Sequence, residues 1–277
     1  MDKQQNSKEN IDNLKMSIQV RLNGLSFCIL DSNKNEVLWY KKLDFEKELT
    51  PVKILEQIEL LYKEEKQLDL AFSEVVLLFS NELYSIVPSE FFVEEEASHY
   101  LKFNTKILQT DLVANDVFSN EDLVNVYIPY TNITNYFFDK YGEFEFKHSA
   151  TALIEHLNQI TRDNGAVAYL NGFKGYYDLV VMKDGKLLLG NTFKYETPED
   201  FIYYLLFTAE QLQLDPLEFP LYLLGEITKD SPEYEITYTY IKNVEFLDPK
   251  LKLIPEKFTN PQFQREAFIL LKSLGCE

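Results

Sequence analysis

The feature that most constrains this chain is a pattern that occurs twice. Near the middle, Ala166-Val167-Ala168-Tyr169 stops at Leu170-Asn171-Gly172, and a second apolar run, Tyr177 to Met182, ends in the turn Lys183-Asp184-Gly185. Lys186 to Leu189, then Thr197-Pro198 and a long helical pattern to Gln213, complete it. The earlier copy reads Leu22-Asn23-Gly24, Ser26 to Leu30, a turn at Ser32-Asn33-Lys34-Asn35, Val37 to Phe45, and Thr50-Pro51 before another helical pattern. Asp-Gly between apolar runs signals a hairpin, because glycine supplies the positive φ that tight turns need. The Leu-Asn-Gly and Thr-Pro landmarks recur at offsets of 148 and 147, which predicts an internal duplication.

A chain of 277 residues has room for two domains, each with its own core, and a hydrophobic share of 45% excludes a disordered chain. The formal charge of -18 repels nucleic-acid phosphates and anionic lipid, so neither is an expected partner. The first sixteen residues lack the apolar core of a signal peptide, and no stretch is long enough to insert in a membrane. Two cysteines, Cys28 and Cys276, give neither a disulfide framework nor a metal spacing. The expected location is the cytoplasm.

In order along the chain, residues 1–14 read as a polar tail. Ser17 to Asn23, Leu25 to Asp31 and Glu36 to Phe45 read as an antiparallel meander. Thr50 and Pro51 then open a helix whose stripe is Ile54, Leu55, Ile58, Leu61 and Tyr62. Glu74 to Phe79 reads as a buried parallel strand, and Pro88-Ser89-Glu90 as the start of a second helix. Leu123 to Tyr130 reads as a strand and Ser149 to Arg162 as a helix closed by Asp163-Asn164-Gly165, with Asn135 to Glu145 unassigned. The second half repeats the order: a meander, a helix from Pro198 capped by Thr197, a strand from Pro220 to Leu224, a strand over Tyr234 to Phe246, and a last helix from Asn260-Pro261 to Gly275. The expected division is 15–163 and 164–277. A meander extended by parallel strands through helical crossovers makes a mixed α/β sheet covered on both faces.

Two tandem copies of that order resemble the actin-like ATPase superfamily of actin, heat-shock 70 chaperones, sugar kinases and pilus-assembly ATPases. Within it the chain looks most like an uncharacterised bacterial family of about this length with degenerate nucleotide motifs. The resemblance covers residues 16 to 275 and implies two ribonuclease-H-like lobes with a nucleotide cleft between them. It also implies a phosphate turn Asp-x-Gly-x-Thr/Ser after the first strand of each lobe, whose Asp places magnesium and the attacking water. Here the turns read Leu22-Asn23-Gly24-Leu25-Ser26 and Leu170-Asn171-Gly172-Phe173-Lys174, with Leu at both Asp positions. A shift of one residue puts Asn23 and Asn171 there, and a neutral amide lacks the charge to hold a hard cation. The adenosine-side turn, Gly-Gly in the superfamily, is Leu224-Gly225-Glu226. Ala150 and Ala152 match the small residues that let lobes approach. The candidate nucleotide-contacting residues are therefore Asn23, Gly24, Ser26, Asn171, Gly172, Lys174 and Gly225, with no catalytic residue and no metal ligand assigned. Losing both metal-placing carboxylates removes most of the phosphoryl-transfer mechanism, so no cofactor is expected and ATP with magnesium is disfavoured.

The remaining constellations favour plain readings. His99, His148 and His156 have no Cys or paired carboxylate at ligand spacing and read as surface or capping histidines. Gly172-Phe173-Lys174-Gly175 lacks the Gly-Lys-Ser/Thr ending of a phosphate loop. No Gly-x-Ser-x-Gly elbow occurs, and Leu22, Leu77 and Leu78 stand where a related nuclease needs acids. The aromatic group Tyr136-Phe137-Phe138, Tyr141, Phe144 and Phe146 reads as core or a packing edge, with an interface as the alternative. Tyr203-Tyr204 with Phe201 and Phe207 reads as a helix buried on two sides. The favoured role is a non-catalytic binding or assembly protein with an unidentified protein partner. The alternatives are a weakly active ATPase or kinase using carboxylates such as Asp31 or Asp178, and a self-associating structural protein.

Overall fold

A computed structural model describes residues 13–102, 111–161 and 165–276. Most of the expected tail, residues 1–12, lies outside the described residues, as do Asp163 and Asn164 of the turn expected to close the long helix. Leu14, placed by the sequence in the tail, already belongs to the first strand. The chain forms two compact units: the described residues of Met1–Ala152, Lys252–Thr259 and Ile269–Glu277 make one, and those of Leu153–Leu251 and Asn260–Phe268 the other. Two C-terminal pieces therefore pack with the first unit, whereas the expected division at 163 follows chain order alone.

In the first unit, β1 (Leu14–Arg21), β2 (Gly24–Asp31) and β3 (Glu36–Asp44) form the expected meander. α1 (Pro51–Glu64) starts where local chemistry requires: the Thr50 side chain accepts from the Lys53 amide and Pro51 occupies the first turn, where no donor is lost. β4 (Glu74–Phe79) pairs parallel with β1, as its apolar run predicts. Next come β5 (Tyr84–Pro88), α2 (Ala97–Leu101), β6 (Ala114–Val117), β7 (Leu123–Tyr127), α3 (Thr131–Tyr141), β8 (Glu145–His148) and the first turn of α4 (Ser149–Ile160), whose residues from Leu153 on belong to the second unit. The main sheet has the order β3-β2-β1-β4-β8, and β5-β7-β6 form a separate small sheet. The helix expected at Pro88 is only a 3-10 turn over Ser89–Phe91 before α2. The unassigned aromatic stretch is α3 and β8: Phe137 is fully buried and Tyr136, Tyr141, Phe144 and Phe146 pack on the core, leaving Phe138 exposed. Ile18, Val20 and Phe27 meet Ile54 and Ile58 of α1 in that core.

The second unit repeats the strand order. β9 (Ala166–Phe173), β10 (Tyr176–Lys183) and β11 (Lys186–Lys194) form the meander, followed by α5 (Pro198–Gln211), β12 (Pro220–Gly225), α6 (Pro232–Tyr240) and β13 (Asn243–Phe246). Its sheet runs β11-β10-β9-β12-β13. α5 opens on a reciprocal cap, in which Thr197 accepts from the Asp200 amide while Asp200 accepts from the Thr197 amide. The strand expected over Tyr234 to Phe246 is instead α6 followed by β13. Alternation of Ile236, Tyr238 and Tyr240 suggests a strand, but Ser231 caps the Tyr234 amide, Pro232 begins the turn and Glu233 sits at the positive helix end. α5 is buried on one side only: Phe201, Ile202 and Leu205 face the core while Tyr203 and Phe207 are exposed and stack on each other at 6.0 Å.

The last expected helix is two, α7 (Pro261–Glu266) and α8 (Phe268–Ser273), broken at Ala267. Gly275 follows with a φ of 82°, as a helix stop requires. α8 covers the second face of the first unit's sheet, where the Ser17 hydroxyl donates to the Leu270 carbonyl at 3.0 Å. Ile254 bridges the edge of β3, accepting from the Val37 amide at 2.8 Å. Cys28 and Cys276 are both buried and unbridged, and burial pushes the Cys276 thiol up to about 11. No helix among the described residues is long and apolar enough to cross a membrane.

Candidate functional site

In open α/β sheets, ligands gather beyond the carboxyl ends of the strands, which here carry the hairpin turns. In the first unit Arg21 pairs with Gly24, so the turn is Leu22-Asn23. Both turn carbonyls are used: Leu22 accepts from the Leu49 amide at 2.7 Å and Asn23 from the Phe45 amide at 2.8 Å. A side chain on Gly24 would stand 2.9 Å from the Leu43 carbonyl oxygen, so glycine is required by the close approach of β3. Ser26 is buried inside β2, paired with Gln19, and the same face of β1 carries Ser17 and Arg21. Gln19 Nε2 donates to Ser80 Oγ at 2.9 Å, and Ser80 donates to Ser149 Oγ at 2.6 Å. The Arg21 guanidinium lies 3.8 Å from the Asp44 carboxylate.

In the second unit the turn is not where the repeated triplet put it. Phe173 pairs with Tyr176, so Lys174-Gly175 is the turn, and Leu170, Asn171 and Gly172 lie inside β9. The equivalent turns, at 22 and 174, are 152 residues apart; the Leu-Asn-Gly triplets therefore occupy different structural positions, slipped by four residues. Thr50 and Thr197, in contrast, are equivalent helix caps. Asn171 donates to Asp178 Oδ2 at 3.1 Å and Thr192 to Asp178 Oδ1 at 2.8 Å, a cross-strand row over three neighbouring strands. Gly172 shows its opposite face to Ile227, which fills the space a side chain would need. Gly225, with a φ of 75°, backs directly onto Gly172, whose carbonyl accepts from the Glu226 amide at 2.8 Å.

Gly172 and Lys174 line a cavity of about 190 Å³ with Tyr195, Glu226, Ser231 and Glu233. Tyr195 Oη lies 2.9 Å from the Phe173 carbonyl and 3.2 Å from Glu233 Oε1, and burial pushes its phenol above the usual range. Among the expected residues of this unit, Gly172 and Lys174 thus share one cavity with Gly225 beside it, while Asn171 faces the other side of the sheet. In the first unit Asn23 and Gly24 share the turn, and Ser26 is enclosed. Asp31 caps the Asn33 and Lys34 amides at the far end of β2, about 24 Å of strand from Gly24. Among the described residues no group of three or more His, Cys, Asp or Glu is placed to share a metal ion.

One polar cluster was not legible in the sequence. Where β8 runs into α4, the Asp116 carboxylate accepts from the Tyr127 hydroxyl (3.0 Å), the His148 amide (2.9 Å) and the Thr151 hydroxyl (2.7 Å). Burial raises its carboxyl to about 6, against the opposing pull of those three donors. His148 is not at the surface: it is buried between Tyr84 and Tyr127, with ring centroids 4.5 and 5.3 Å away. Its Nε2–H donates to the Asn81 carbonyl at 3.1 Å, and Nδ1 accepts from the Ala150 amide at 3.2 Å. Burial lowers it to about 3, against the opposing pull of the Asn81 carbonyl. The cluster joins residues 32 apart in the chain, and the short β6 that carries Asp116 has no periodic signal.

A meander, a helical crossover and parallel strands, present once in each unit, define the actin-like ATPase fold, and this chain has it. A solved structure from Bacteroides thetaiotaomicron, described as a protein with actin-like ATPase fold and unknown function, is 22% identical over 97% of this chain and 98% of its own, with a TM-score of 0.78. The chain belongs to the family described as protein of unknown function (DUF3822), whose model matches residues 3–244. A structure of the PilM–PilN type IV pilus biogenesis complex is similar at 15% identity, covering 96% of this chain and 99% of the other, with a TM-score of 0.59. No curated protein matches the chain.

Proposed function

We propose that this protein is a non-catalytic cytoplasmic binding or assembly protein that uses the actin-like scaffold without its metal-placing carboxylates. The observation that carries this reading is the chemistry of the two hairpin turns: Leu22-Asn23 and Lys174-Gly175 offer no carboxylate. Of the acids on the neighbouring strands, Asp31 caps its own turn, Asp178 accepts from Asn171 and Thr192, and Asp44, opposite Gly24, is paired with Arg21 and Lys42. Phosphoryl transfer depends on metal and cations to neutralise developing charge, and the small cavity beside Gly172 contributes Glu226 and Glu233 instead. Two further observations favour a protein partner. A chain of this fold, PilM, is held in a complex with PilN. The exposed Tyr203–Phe207 stack on α5 is the kind of aromatic surface that interfaces use.

Thermal unfolding with and without millimolar ATP and magnesium tests the reading. A ligand at 100 times its dissociation constant would stabilise its state by about 2.7 kcal/mol, a shift of several degrees. The expected outcome is no shift; a magnesium-dependent shift abolished in Asp178→Asn would restore an ATPase or kinase reading.

A further inference from the structure

At the amino ends of β4 and β8, away from the hairpin turns, the first unit holds a cavity of about 340 Å³ lined by Phe72, Glu74, Tyr141, Glu143, Phe144 and Glu145. That is large enough for a side chain or small ligand. Its walls are aromatic and fixed by packing: Phe72 and Tyr141 meet edge to face at 6.1 Å, and Phe144 rests on Phe137 and Phe146. Its rim is acidic. Glu74 pairs with Lys15 at 2.7 Å and Glu145 with Lys147 at 3.0 Å, while Glu143 is exposed and no ion pair among the described residues engages it. The same aromatic group already holds a cation: Lys140 Nζ sits 4.3 Å from the centroid of Tyr62, whose hydroxyl is 2.7 Å from that of Tyr141.

We propose that this cavity receives an arginine side chain from a partner polypeptide. An anionic group would meet the uncompensated Glu143 beside two acids already paired with lysines, and an apolar one would strip water from them without return. A cation satisfies both wall and rim, since ring faces attract positive charge and a carboxylate accepts its donors. Arginine suits the site better than lysine: its planar guanidinium stacks on Tyr141 or Phe144 while presenting paired donors to Glu143 or Glu145. The proposal does not rest on the loss of catalysis, because the cavity lies at the opposite end of the strands from the turns.

Saturation-transfer NMR on the full chain at low salt tests it, with N-acetyl-arginine amide, its neutral isostere N-acetyl-citrulline amide, and free arginine as probes. The expected result is transfer to the capped arginine that falls about fivefold for the citrulline probe and about fivefold in Glu143→Gln/Glu145→Gln, both changes removing roughly one charge-assisted contact. An unchanged fluorescence unfolding curve for that double variant shows that it folds. Equal transfer to citrulline, no loss in the variant, or binding of free arginine alone would each overturn the proposal; the last would point to a free amino acid, not a polypeptide.

Discussion

Replacing Asp116 by Asn tests the buried cluster at the start of α4 through its pH dependence. Asn can keep an oxygen toward the His148 amide and the Thr151 hydroxyl, while its amide donates to Tyr127 Oη, whose proton is free to turn away. What it loses is a titration. The Asp116 carboxyl, near 4 when unfolded and about 6 when folded, contributes stability that is full below pH 3.8 and is lost as pH rises to 6. His148 acts with opposite sign. Near 6.5 when unfolded and about 3 when folded, it contributes stability that is full above pH 6.5 and lost as pH falls toward 3. Each slope is about 1.4 kcal/mol per pH unit, so the two cancel between pH 4 and 6 in the native chain. In Asp116→Asn only the histidine slope remains. Relative to the native chain, the variant should therefore lose about 2 kcal/mol between pH 6 and pH 4.5 and show a constant difference above pH 7. Trp39, the chain's single tryptophan, lies on β3 of the same unit, so its fluorescence in urea follows this unit. The other carboxylates titrate in both chains and drop out of the difference. A stability difference independent of pH from 4.5 to 7 would refute the reasoning.

Other consequences follow from the second unit. Gly225→Ala places a methyl group against the Gly172 carbonyl in a left-handed backbone, and should cost at least about 3 kcal/mol, read as faster hydrogen exchange in β9 and β12. Unchanged exchange would mean that the two strands can part there. Asp178→Ala leaves the Asn171 amide and the Thr192 hydroxyl without their acceptor and should cost about 1–3 kcal/mol by thermal unfolding, whereas Asp178→Asn, which keeps one acceptor, should cost less. Equal effects of the two would remove the cross-strand row as a stabilising feature.

How far the sequence could be read depended on how local each signal was. Thr50-Pro51 and Thr197-Pro198 announced α1 and α5 because a cap and its amides lie within four residues. The apolar run Glu74–Phe79 announced a parallel strand because both faces of such a strand are covered. The turn at Lys174-Gly175 was not legible because hairpin register comes from strand pairing, and the triplet Leu170-Asn171-Gly172 resembled the real turn at Leu22-Asn23 by residue type alone. α6 was missed because the alternating Ile236, Tyr238 and Tyr240 competed with the Ser231-Pro232 start. The return of Ile254 to β3 and the meeting of Asp116 with His148 are tertiary events that leave no periodicity behind. Of the candidate site, the first turn at Leu22-Asn23 and its lack of a carboxylate were legible; the second turn and the cavity around Gly172, Lys174 and Glu226 were not, because register and the approach of Glu226, Ser231 and Glu233 come only through the fold.

The most direct test of the central proposal is magnesium-dependent phosphate release from ATP by the purified chain, measured beside Asp31→Asn and Asp178→Asn. A non-catalytic protein gives a rate equal to the no-protein control in all three. Turnover by the native chain that either substitution abolishes would contradict the proposal and make that carboxylate the metal-placing group.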